Sequence, residues 1–455
     1  MRPVATVAEM RAADAAAPVA EEILIRRAGT AAAMAALRLL GGAYAKRVVV
    51  VAGKGNNGAD GRVAAAVLER RGARVTVTGP EAVLPPCDLV VDAALGTGLR
   101  GPFDAPDVPR GAAVLAVDIP SGVDGDTGDA PGSPMHADVT VTFAALKPGL
   151  LQGDGPRFCG RVEVADIGLG AFATRIALVE DDDAALVPRR AADGHKWKSA
   201  VAVVAGSPGM EGAAVLSAEG ASRAGAGMVR LGSPGGGQAS WPTEAVRMDL
   251  SQTGWSDEVL HVLERCRALV VGPGLGREEA TRSEIRRLVA RARVPVVVDA
   301  DGLFALGDAA AARTVVAGTG SAAGTRPVVL TPHDGEYERL SGAPPGPDRV
   351  DAARRLASAT GAHVLVKGSL TAVGAPSGDV LLSAAGSARL ATAGTGDVLS
   401  GVVGAFLARG MAPLEAAAVA AHVHGRAATL GPAEGLISAD LPVLVSTWLS
   451  GALGG

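Results

Sequence analysis

The stretch Val48-Val49-Val50-Val51-Ala52-Gly53-Lys54-Gly55-Asn56-Asn57-Gly58-Ala59-Asp60-Gly61 decides the fold. Four valines and an alanine closed by glycine read as a strand buried on both faces. The glycine- and asparagine-rich run that follows is a turn, and a helix is expected from about 60 to 71. Further strands are expected near 75–78, at 89–91 ending on Asp92, and at 114–117 ending on Asp118. An alanine-rich helical segment, about 6–40, precedes them. Strands alternating with helices imply a parallel sheet covered on both faces, here a Rossmann-like three-layer α/β domain.

The pattern fades after Ile167. The polar, turn-forming stretch Asp181-Asp182-Asp183 through Pro188-Arg189-Arg190 marks a boundary near 188, giving domains 1–188 and 189–455. A second α/β series starts at 201–205, with strands at 268–271, 296–298, 328–330 and 363–366. A hairpin is expected around Ser377-Gly378, and two closing helices at about 396–408 and 414–430. Patches 233–242 and 342–348 read as loops.

Composition sets the bounds. Hydrophobic residues make up 48% and charged residues 20% of 455, the range of a folded chain with two domains as the natural prior. A formal net charge of -4 gives no general attraction to nucleic acid or anionic membrane. Cys87, Cys159 and Cys266 stand far apart in no CxxC pair, and read as reduced, mostly buried thiols. No apolar run reaches the roughly 18 residues of a membrane span, and the acidic N-terminus does not read as a signal peptide. A cytoplasmic location is expected.

Gly53-x-Gly55-x-x-Gly58 matches a dinucleotide fingerprint, in which glycines admit a diphosphate to a helix N-terminus. The acidic residue wanted at the end of the second strand is missing from Thr76-Val77-Thr78-Gly79-Pro80, which argues against an ordinary NAD dehydrogenase. Two more strands end in polar clusters: Asp92 through Gly96-Thr97-Gly98-Leu99-Arg100-Gly101, and Asp118-Ile119-Pro120-Ser121-Gly122-Val123-Asp124. Ligands of open α/β sheets bind outside such ends. Any one of these aspartates could merely cap a helix.

In the second half, Gly394-Thr395-Gly396-Asp397 leads straight into an apolar helix. Its amides form an anion hole, and Asp397 could take a proton from a substrate hydroxyl. The bland reading is that Thr395 and Asp397 cap the helix. Lys367-Gly368-Ser369-Leu370-Thr371 follows a strand and could meet nucleotide phosphates. Gly272-Pro273-Gly274-Leu275-Gly276 permits close backbone approach. His333 sits in the strand-end cluster Thr331-Pro332-His333-Asp334-Gly335-Glu336.

The N-terminal clusters, with Thr6-Val7-Ala8-Glu9-Met10 and Thr142-Phe143…Lys147-Pro148-Gly149, resemble the NAD(P)H-hydrate epimerase family over about 6–170. Ala59 stands where that family usually has glycine. Residues 394–397 and 296–301 resemble the ribokinase-like superfamily. With His195-Lys196, Gly212-Ala213 and residues 223–229, the C-terminal half is similar to the ADP- or ATP-dependent NAD(P)H-hydrate dehydratases.

This resemblance implies a bifunctional repair enzyme for hydrated NADH and NADPH. Asn56, Asn57, Gly58, Ala59, Asp60, the run Gly96 to Gly101 with Pro102, and Asp118 would contact the hydrate in the first half. Asn57, Asp92 and Ser121 would hold K+. Asp118 and Lys147 are candidates for acid/base work, Lys147 equally for a structural salt bridge. In the second half Ala213, Gly274, His333 and Asp397 would contact the hydrate. Lys367, Gly368, Ser369, Leu370, Thr371 and Gly396 would contact ADP or ATP, with Mg2+ on the phosphates and Asp397 as base. A homo-oligomer is compatible with this, and the sequence does not decide it. Two alternatives stay open: a ribokinase-like small-molecule kinase, and an N-terminal half that only binds nucleotide or a partner.

Overall fold

The computed structural model describes every residue except 100, 171, 191–193, 236–240, 320–325 and 455. The chain divides into two compact units, Arg2–Ile176 and Ala177–Gly455 with Met1. The division falls earlier than the turn formers near 188 indicate. Val179 and Val187 are buried in the core of the second unit, and the Val179 N–H donates to the Leu382 carbonyl at 2.8 Å.

In the first unit six parallel strands run in the order Arg74–Thr78, Arg47–Ala52, Leu89–Ala93, Ala113–Val117, Val139–Phe143, Arg161–Ala165. The first strand in sequence is second in space, so the chain leaves Arg47–Ala52 first to one side and then to the other. The switch point lies between Arg47–Ala52 and Leu89–Ala93, where doubly wound sheets bind ligands. The expected N-terminal helix is two helices, Val7–Ala15 and Glu21–Leu40. Pro18 between them has no N–H to give and disfavours the helical region for the residue before it. The first is closed by a capping box between Thr6 and Glu9. Helix Asn56–Arg70 begins four residues earlier than the sequence suggests. The two asparagines therefore form its first turn rather than a loop.

In the second unit the parallel strands run in the order His363–Val366, Val328–Leu330, Val296–Val298, Ala268–Val271, Ala200–Val204, Met228–Gly232, Ala245–Met248. The hairpin Thr371–Gly374 and Val380–Ser383 extends the His363 side antiparallel. Helix Thr395–Ala408 is buried along nearly its whole length. A Cβ on Gly401 would lie 2.1 Å from the Ser217 carbonyl oxygen, and one on Gly220 2.4 Å from that of Val398. Glycine at both positions lets this helix meet helix Glu211–Arg223 backbone to backbone. All three cysteines are free and buried, and no helix among the described residues is long and apolar enough to cross a membrane.

Candidate active sites

The first site is built on the strand–turn–helix of residues 47–70. A Cβ on Gly53 would lie 1.9 Å from the Ala94 carbonyl oxygen, and one on Gly58 2.0 Å from that of Gly53. These two glycines pack backbone on backbone. Gly55 meets nothing within 4 Å and faces open space. A cleft of about 1480 Å³ opens there, walled by residues 53–57 with Asp60, by residues 94–98, and by Asp118 with Lys147. Three strand ends thus converge, and helix Val7–Ala15 adds Met10, Arg11 and Asp14. Leu99, Gly101 and Pro102 lead away toward the short strand Phe103–Asp104. Arg100 lies outside the described residues.

Asn57, Asp92 and Ser121 meet around the Leu95 backbone. Asn57 Nδ2 donates to the Leu95 carbonyl at 2.8 Å, and Ser121 Oγ accepts from the Leu95 N–H at 2.8 Å. Ser121 also donates to Asp92, its N–H at 2.7 Å and its hydroxyl at 2.5 Å. Asp92 is completely buried, and burial raises its carboxyl to about 6 against the bonds from Ser121. Asn57 Oδ1 is buried and has no hydrogen-bond partner among the described residues. An orphan amide oxygen beside a buried carboxylate is a donor set suited to a hard cation.

Asp118 sits at φ +69, a conformation costly for a residue with a side chain. Its Oδ1 accepts from Lys147 Nζ at 2.6 Å and Thr142 Oγ1 at 3.0 Å. Lys147, 2% exposed, also donates to Thr142 Oγ1 at 2.8 Å and to the Phe143 carbonyl at 3.0 Å. All three ammonium protons are committed. Asp60, three residues beyond Asn57, is 7% exposed and its Oδ1 has no hydrogen-bond partner among the described residues. Burial, then Asp118 and Asp14, push its carboxyl up to about 8. Asn56 Nδ2 donates to Glu21 Oε1 at 2.6 Å, while Gly58 is buried and Ala59 half-buried behind the turn.

The second site gathers strand ends in the same way. Gly394, at φ +91, is the N-cap of helix Thr395–Ala408, and no side chain caps it. Thr395 Oγ1 donates backward to the Leu390 and Thr392 carbonyls at 2.9 and 3.0 Å. Neither Thr395 nor Asp397 is spent on capping. The Thr395 N–H reaches back to the Thr392 carbonyl at 3.4 Å, while the Gly396 and Asp397 amides and the Asp397 carboxylate have no hydrogen-bond partner among the described residues. Burial, then Asp299, raise Asp397 to about 7, against the opposing pull of Lys367.

Lys367 Nζ donates to Asp299 Oδ1 at 2.8 Å and lies 3.7 Å from Glu336 Oε2. Burial pushes its ammonium down, but Asp299 and Glu336 outweigh that and hold it above the ordinary lysine value. A Cβ on Gly396 would come 3.4 Å from this nitrogen, which therefore lies beneath the glycine turn. Ser400 Oγ donates to the other Asp299 oxygen at 2.5 Å. Gly368 and Ser369 are exposed beside it, while Leu370 and Thr371 turn into the sheet. Gly274, at φ +62, places a would-be Cβ 3.0 Å from the Ala213 Cβ, so these two expected substrate contacts adjoin. His333 caps helix Asp334–Ser341: Nδ1 accepts from the Gly335 N–H at 3.0 Å, leaving the proton on exposed Nε2.

The chain matches the family model described as NAD(P)H-hydrate dehydratase over residues 201–449. It matches the one described as YjeF-related protein N-terminus over 21–85 and 78–149. The bifunctional NAD(P)H-hydrate repair enzyme Nnr of Mycobacterium tuberculosis is 40% identical over 456 residues, covering 92% of each chain. The chain belongs to the bifunctional NAD(P)H-hydrate repair enzymes. The corresponding Moorella thermoacetica protein is 37% identical over 84% of this chain and 82% of its own. Among solved structures, the ADP/ATP-dependent NAD(P)H-hydrate dehydratase of Bacillus subtilis, co-crystallised with ATP and Mg2+, covers 62% of this chain with all of its own. It has a TM-score of 0.51 and 26% identity.

Within this repair-enzyme fold, several residues reach the sites with no role foreseen for them. Thr142, Asp299 and Glu336 stand inside quoted motifs, yet their bonds to Lys147 and Lys367 depend on which strands become neighbours. Ser400 meets Asp299 across 101 residues of sequence. Asp14 faces the cleft from a helix whose tertiary placement no local pattern encodes. The sequence signal in each case is a polar residue at a strand end or on an otherwise alanine-rich helix.

Proposed function

We propose that the first unit interconverts the R and S hydrates of NADH and NADPH, and that the second dehydrates the S form with ADP or ATP. The observation that carries the second half is the uncapped helix end at Gly394-Thr395-Gly396, with an uncommitted Asp397 beside it and Lys367 beneath. A phosphoryl group on those amides would have its negative charge met by backbone dipoles and an ammonium. Asp397 takes the proton of the ring hydroxyl as that oxygen attacks the phosphoryl group. AMP or ADP departs with the electrons of the broken P–O bond. Phosphate then leaves the ring carbon with the C–O electron pair as the ring nitrogen lone pair closes a C=N bond. Loss of a proton from the adjacent ring carbon to solvent returns the ring double bond. Ala213, Gly274 and His333 shape the hydrate side. Lys367, Gly368, Ser369, Leu370, Thr371 and Gly396 form the nucleotide side.

Asp299, Glu336 and Asp397 surround one ammonium, an excess of negative charge that suits Mg2+ on the nucleotide phosphates. In the first unit Asn57, Asp92 and Ser121 suit K+, which would neutralise Asp92 and fix the loop against Leu95. Asn56, Asn57, Asp60, the turn at Gly96-Thr97-Gly98 and Asp118 contact the hydrate, with Asp118 and Lys147 as its charged floor. We assign the protein to the cytoplasm, acting on small molecules without nucleic acid or membrane.

The test supplies an epimer mixture of hydrated NADH with ADP or ATP, Mg2+ and K+, and follows the absorbance of reduced nicotinamide. Recovery from both epimers supports both assignments. Recovery from the S form alone sinks the epimerase, and no recovery with either nucleotide sinks the dehydratase. Replacing K+ by Na+ should slow the interconversion step and leave dehydration of the S form unchanged. Equal interconversion rates in the two salts would remove the cation assignment.

A further inference from the structure

Among the ionisable side chains that line the cleft of the first unit are Asp14, Asp60, Asp118 and Lys147. Lys147 has every proton donated, and Asp118 is its counterion, so these two form a fixed pair. Asp14 is exposed on the cleft wall. Asp60 alone of the four is both more than nine-tenths buried and left with an unpartnered oxygen. Among the described residues no group of His, Cys, Asp and Glu has the spacing to hold a metal, so the carboxylates do not explain one another as a cation site. A buried carboxyl with no hydrogen-bond partner is costly unless it carries a proton or meets a ligand.

We infer that Asp60 is the proton-transfer residue of the epimerase, acting on the hydroxyl of the hydrated carbon while the Asp118–Lys147 pair stays fixed as a positioning charge. The inference rests on the epimerase reading of this unit. Asp60 passes its proton to the hydroxyl oxygen. The C–O bond breaks with both electrons on oxygen, water leaves, and the ring nitrogen lone pair closes a C=N bond. Water adding to the opposite face becomes the new hydroxyl and releases one proton, which restores the Asp60 carboxyl through the cleft's solvent. Nothing is oxidised or reduced.

The groups facing Asp60 are Asp14 from helix Val7–Ala15 and Asp118 from the end of strand Ala113–Val117, which both hold its proton on, and Lys147 beyond Asp118. Arg62, on its own helix, is turned onto the Gly53 carbonyl at 3.0 Å. An acid on this site works while protonated, so interconversion should fall as pH rises through about 8.

The experiment uses the full chain without nucleotide, so that dehydration is silent, and follows conversion of purified R hydrate of NADH to the S form by chromatography. Asp60→Asn should lower kcat by about 10²-fold or more, leave KM within about threefold of the wild type and abolish the high-pH limb. Calorimetry of the full chain reports whether the first unit of the variant is folded. Wild-type kcat in Asp60→Asn, or a loss confined to KM, overturns the proposal. Should the variant fail to fold, the wild-type profile decides alone: a rate flat between pH 7 and pH 9 overturns it. A wild-type chain that does not interconvert the epimers at all refutes the epimerase reading instead.

Discussion

Replacing Asp299 with asparagine isolates the buried pair that aims Lys367. Asp299 is 1% exposed and holds Lys367 Nζ at 2.8 Å through one oxygen and Ser400 Oγ at 2.5 Å through the other. Removing one partner of a buried pair typically costs about 3–5 kcal/mol, because the remaining charge stays desolvated. Lys367 keeps Glu336 at 3.7 Å and retains some solvent contact, so the low end, about 3 kcal/mol, applies. For a unit of this size that corresponds to a fall in Tm of roughly 6–12 °C. Calorimetry of the full chain reads it in the transition that ATP and Mg2+ shift upward. Dehydration kcat should fall more than KM, because Nζ loses its place under Gly396, and epimerisation should be untouched. A Tm change below about 1 °C together with unchanged dehydration would refute the reasoning.

Asp397→Ala should abolish dehydration and leave epimerisation intact, measured on the two epimers separately. In the wild type the dehydration rate should climb as pH rises through about 7, since a base must lose its proton and this carboxyl is held high by burial and by Asp299. A second pair of variants separates packing from binding. Gly58→Ala places a methyl 2.0 Å from the Gly53 carbonyl oxygen and should destabilise the first unit by about 1–3 kcal/mol, seen as a lower-temperature transition. Gly55→Ala meets nothing within 4 Å, so it should fold normally and raise the epimerase KM by occupying the open side of the turn.

The sheets were legible where strands are runs of valine and leucine, as at Arg47–Ala52, Ala200–Val204 and Val328–Leu330, because burial on both faces leaves no other residue type. Strands Arg161–Ala165, Met228–Gly232 and Ala245–Met248 are only partly buried along their length and carry charged residues, so their hydrophobic signal is thin. Val139–Phe143 is wholly buried, yet its threonines read as polar. Thr140 and Thr142 satisfy their hydroxyls on the Cys159 carbonyl and on Asp118. Site residues were legible where chemistry and turn coincide, as in Asn56-Asn57-Gly58 and Gly394-Thr395-Gly396-Asp397. The distinction between a committed and an open carboxylate was not. Asp118 and Asp60 look alike in sequence, and only the neighbours brought by strands Ala113–Val117 and Val139–Phe143 and by helix Val7–Ala15 tell them apart.

Helix Thr395–Ala408 is clamped on two fronts: by Gly401 and Gly220 against helix Glu211–Arg223, and by Gly404, whose Cβ would lie 2.4 Å from Val270 Cγ2. Sliding it by one residue would drive a side chain into the backbone of helix Glu211–Arg223 and another into the Val270 side chain, so the helix behaves as a bolt rather than a piston. In the proposed reaction, the amides at its N-terminal end would therefore need no reorientation as the phosphoryl group transfers. Substitutions that loosen those glycines should therefore slow dehydration without altering any residue of the proposed site.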